Sequence, residues 1–68
     1  MTTNGELASR ARVAVEESAN LVGAVGEPLE DNITDLLANL MHLCEQEGLS
    51  FRTLSDRALM HYTAEQSE

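Results

Sequence analysis

Apolar residues recur at steps of three, four and seven in three separate stretches of the chain, and this spacing predicts an all-α, compact three-helix domain. The expected helices lie near 4–25, 28–47 and 51–65. In the first stretch Leu7, Ala11, Ala14, Val15, Leu21, Val22 and Val25 share a face, with Arg10, Glu16, Glu17 and Asn20 largely elsewhere. Thr3 and Glu6 have the spacing of a capping box, in which each side chain serves a backbone N–H near the other. Gly23, Gly26 and Pro28 mark the end of this helix, because proline holds the residue before it away from helical geometry.

Pro28 suits the first position of a second helix, where its missing N–H costs nothing, and Glu30 and Asp31 then sit near the positive end of the helix dipole. Leu29, Ile33, Leu36, Leu37, Leu40, Leu43 and Cys44 form a broad apolar face that Met41 widens, so this helix is expected at the centre of the core. Gly48 is placed to stop it in a left-handed conformation, with Leu49 folding back towards Cys44. Ser50 is the expected N-cap of a third helix, with Leu49 and Leu54 at the two positions of a hydrophobic staple. Phe51, Leu54, Ala58, Leu59 and Tyr62 line its apolar side, and Glu65 to Glu68 reads as a frayed tail.

Sixty-eight residues make one domain, 1–68, and a chain this short buries only about 60% of its unfolded surface. Partners or self-association would add stability, and a homodimer is among the expectations. Twelve Asp and Glu stand against four Arg and no Lys, a formal charge of −8. That balance repels nucleic acid, whose non-specific affinity comes from Lys and Arg displacing counterions, and matches a protein with a basic surface. It also serves plain solubility. The single Cys44 cannot make an internal disulfide, which points to a reducing cytoplasm. No basic stretch leads into an apolar one at the start, and no apolar run approaches the roughly 18 residues of a membrane span, so neither export nor a membrane partner is expected.

Candidate chemistry narrows the picture further. His42 and Cys44 are two residues apart, about 200° around a helix, and cannot share an ion. Asp35, Asn39 and His42 share a face, as do His61 and Glu65, but no three strong ligands converge by spacing, and neither metal nor cofactor is expected. Glu16, Glu17, Glu27, Glu30, Asp31 and Asp35 would face each other across two antiparallel helices, which keeps a small carboxylate and histidine metal-dependent hydrolase as an alternative. The paired E-x-x-E and E-x-x-D arrangement of small all-α pyrophosphohydrolases is not reproduced, because Glu27 to Glu30 straddles a helix start. Cys44 lies on an apolar face with no basic neighbour at helical spacing, and reads as a small core residue. Leu40 to Leu59 can be laid on a helix-turn-helix unit with Gly48 at the turn, although Glu47 and Arg57 would put charges where its helices pack.

The run D-L-L-x-x-L-M-H-x-C from Asp35 to Cys44, then G-L-x-F from Gly48 to Phe51, then A-x-x-H-Y from Ala58 to Tyr62, resembles small bacterial proteins carried on phages and other mobile elements. The resemblance covers about the C-terminal half of the chain and assigns no activity. It implies a context in which short acidic proteins inhibit host defence systems, anti-CRISPR proteins among them, and this is analogy. The expected function is therefore a non-enzymatic interaction module that masks a basic surface, through Glu16, Glu17, Glu27, Glu30, Asp31 and Asp35. A second candidate patch is Met41, His42, Met60 and His61, as partner contacts, a pH-sensitive pair, or histidines hydrogen-bonded across the second corner.

Overall fold

A computed structural model describes residues 2–66 and contains three helices in chain order: α1 (Asn4–Leu21), α2 (Leu29–Gln46) and α3 (Phe51–Gln66). The all-α, three-helix architecture is the one the apolar spacing predicts. Among the described residues no helix is long and apolar enough to cross a membrane.

Local chemistry sets each boundary. The Thr3 hydroxyl accepts from the Glu6 backbone N–H at 3.1 Å, satisfying one of the orphan donors at the start of α1. α1 stops at Leu21, four residues short of the expected 25. Gly23, at φ +71°, donates to the Asn20 carbonyl at 3.4 Å, and Ala24 donates to the Ala19 carbonyl at 2.9 Å. These are the two bonds of a Schellman closure, and the apolar spacing runs past it only because Val22 and Val25 continue the rhythm into the loop. α2 ends in the same motif: Gly48, at φ +68°, donates to Glu45 at 3.3 Å, and Leu49 donates to Cys44 at 2.8 Å.

Pro28 is the N-cap of α2 and not its first helical residue, because its ψ of 142° is extended; its carbonyl accepts from Asp31 and Asn32 at 3.0 and 3.2 Å. At the second corner the Ser50 hydroxyl accepts from the Thr53 N–H at 3.2 Å and opens α3 as expected. α3 extends through Gln66, whose Nε2 donates to the Tyr62 hydroxyl at 2.7 Å, so the first half of the expected frayed tail is helical. Ser67 and Glu68 lie outside the described residues.

α1 packs on α2 and α2 on α3, and the molecule is flat, 37 × 30 × 17 Å. Its core is thin. Among the described residues only Val15, Ala19 and Cys44 are buried apolar residues, and Asn32 is the buried polar one. Leu7, Leu36, Phe51 and Leu54 are half-buried. The α2 face expected at the centre of the core is largely uncovered: Leu29, Ile33, Leu37, Leu40, Met41 and Leu43 are all exposed. α1 meets α2 on the flank that carries Asn32, about 60° around the helix from Leu29, and so leaves the middle of the apolar stripe open.

Candidate functional site

α1 and α2 meet at Ala19 and Asn32. The small side chain of Ala19 lets the helices approach, and Asn32 reaches back across the loop so that its Nδ2 donates to the Ala24 carbonyl at 3.1 Å. Two open grooves border this meeting point. One is lined by Arg12, Glu16, Val25, Glu27 and Leu29, and the other by Ser18, Val22, Asp35, Ala38 and Asn39.

The six acidic candidates distribute over this junction without converging. Glu16 and Glu27 share the first groove, Asp35 lines the second, and Glu17, Glu30 and Asp31 lie outside both. All six are exposed. Arg12 and Glu16 form an ion pair of 3.9 Å on one face of α1, with both side chains more than 60% exposed. No other ion pair occurs among the described residues, so the remaining carboxylates carry their charge unneutralised on the surface. Glu30 and Asp31 occupy the first turn of α2, where the helix dipole favours negative charge.

Met41, His42, Met60 and His61 are exposed as well. The expected hydrogen bonds of His42 and His61 across the second corner do not form, and neither ring has a partner among the described residues. His42 lies about 200° around α2 from Leu40, on the solvent side, away from the apolar stripe. Among the described residues no three His, Cys, Asp or Glu side chains come together where they could hold a metal ion. Cys44 is a free, buried thiol at the foot of the second corner.

The residue that spacing alone misses is Asn32. It looks like an ordinary polar position on the flank of α2, and only the chain path between the helices reveals an acceptor for it. Two further concavities are markedly apolar. One runs between α1 and α2, lined by Ala8, Ala11, Val15, Leu29 and Ile33, and the other between the start of α1 and the end of α3, lined by Leu7, Ala8 and Tyr62 with Asn4, Glu65 and Gln66. They adjoin at Ala8. No protein-family model, curated protein or solved structure matches the chain.

Proposed function

We propose that this chain is a non-enzymatic protein-interaction module of a mobile element, which docks its acidic first junction against a basic surface of a host protein in the cytoplasm and blocks what that surface normally binds. The observation that carries the reading is the state of the carboxylates around that junction. Among the described residues Glu17, Glu27, Glu30, Asp31 and Asp35 are exposed and form no ion pair, on a chain of net charge −8. Such a field favours encounter with a cationic protein and discourages nucleic acid. The mechanism is steric and electrostatic competition. The resemblance of the segment from Asp35 to Tyr62 to mobile-element proteins supplies the context of host inhibition.

The test is affinity capture from host-cell lysate on the immobilised chain, followed by elution with increasing salt. The double variant Glu30→Lys, Asp31→Lys should retain less of the captured protein and release it with a flatter salt dependence, while circular dichroism shows an unchanged helical fold. Equal capture by the variant overturns the proposal.

A further inference from the structure

We infer that the uncovered face of α2, with the apolar groove beside it, is the seat of a second copy of this chain, so that the folded unit is a homodimer. Three observations converge on that occupant.

The first is area. The chain exposes 5688 Å². A folded monomer of 7.4 kDa exposes roughly 4,200 Å² by the scaling of monomeric proteins, so about 1,500 Å² is in excess on each chain. Two chains covering that excess would bury on the order of 3,000 Å² together, within the range of obligate homodimers. The radius of gyration agrees, at 13.5 Å against about 11 Å for a globular chain of this length. Among the described residues no large side chain is fully buried, and a second chain would supply the covering that is lacking.

The second is spacing. Leu29, Ile33, Leu36, Leu40 and Leu43 recur along α2 at alternating steps of four and three, the period of a seam between paired helices. Ile33 and Leu40 remain 41% and 40% exposed, although both lie on that stripe.

The third is charge. From Asn32 to Cys44 the only acidic residue is Asp35, whereas Glu30, Asp31, Glu45 and Glu47 stand at the two ends of α2. A highly acidic chain thus keeps the middle of its most apolar helix almost free of charge. A cationic partner would be matched by acids within the stripe, whereas an identical acidic chain requires them to lie off the contact.

The last point gives the proposal its signature. Two chains of −8 repel each other, and salt screens that repulsion, so the dimer tightens as ionic strength rises. Capture of a basic partner weakens under the same change. The two proposals therefore fail separately.

The experiment is sedimentation equilibrium of the purified chain across a concentration series at low and high salt, with thermal melts at each concentration. The expected result is a mass approaching twice 7.4 kDa, tighter association at high salt and a melting temperature that climbs with concentration. Leu40→Glu should weaken the dimer by about a hundredfold, because each substitution enters a two-fold interface twice. Leu21→Glu, at a position already 87% exposed on α1, should leave it unchanged. Should Leu40→Glu prove unfolded, the wild-type mass and melts decide alone. A monomer mass at every concentration with a constant melting temperature overturns the inference, as does a mass of three or more chains.

Discussion

Asn32 Nδ2 donates to the Ala24 carbonyl at 3.1 Å, and this bond ties the first turn of α2 to the residue that closes α1. Asn32 is only 8% exposed, and among the described residues no buried side-chain nitrogen or oxygen lacks a partner. The bond thus replaces water that the junction excludes. Asn32→Leu removes the donor and leaves the half-buried Ala24 carbonyl with the Glu27 N–H alone, at 3.1 Å, so the cost is that of one ordinary hydrogen bond, about 0.5–1.5 kcal/mol. For a domain of this size each kcal/mol lowers the melting temperature by about 4–8 °C. A melt at fixed chain concentration checks this, and an unchanged midpoint would show the bond to be dispensable.

The paired corners make a second prediction. Gly23 and Gly48 both hold left-handed backbone, and a Cβ at either would meet nothing within 4 Å. The cost of alanine there is therefore backbone strain alone, roughly 1–2 kcal/mol at each site. Gly26 has equally open surroundings without a left-handed φ, so Gly26→Ala should be neutral or stabilising by up to about 1 kcal/mol through the unfolded chain. Urea unfolding of the three variants should separate the first two from the third; three equal midpoints would contradict the assignment.

The helix starts can be compared with the surface charges. Ser50→Ala removes the acceptor for the Thr53 N–H and should cost about 1 kcal/mol, seen as faster hydrogen exchange in the first turn of α3. A protection pattern identical to wild type would count against that cap.

Arg12→Ala, by contrast, breaks only an exposed ion pair at 3.9 Å and should change stability by less than about 1 kcal/mol. A larger loss in the same urea titration would mean that the Arg12 stem packs in the groove it lines.

How far these features can be read from residue order depends on their range. Helix type, the Gly48 closure and the Ser50 cap rest on neighbours within five residues, and the residue order specifies them. The end of α1 is obscured by Val22 and Val25, since apolar spacing cannot tell a helix face from an exposed loop. The core is harder still. Leu37 and Leu40 have the composition of buried positions, but composition does not say whether the covering atoms belong to the same chain. Likewise the six acidic residues cluster in sequence, yet only the way α1 lies on α2 decides that Glu16 and Glu27 line one groove while Asp35 lines another.

The groove between Leu7 and Tyr62 brings the beginning of α1 beside the end of α3, so the path of the chain nearly closes on itself. A short peptide bridge between those two helix ends would make a ring, and opening that ring near Gly26 would create a permuted chain with the same three helices in a new order. The same proximity puts the first turn of α1 and the last turn of α3 at one corner of the molecule, the one away from the Ala19 and Asn32 junction. Cargo can therefore be carried there without crowding the carboxylates around α1 and α2.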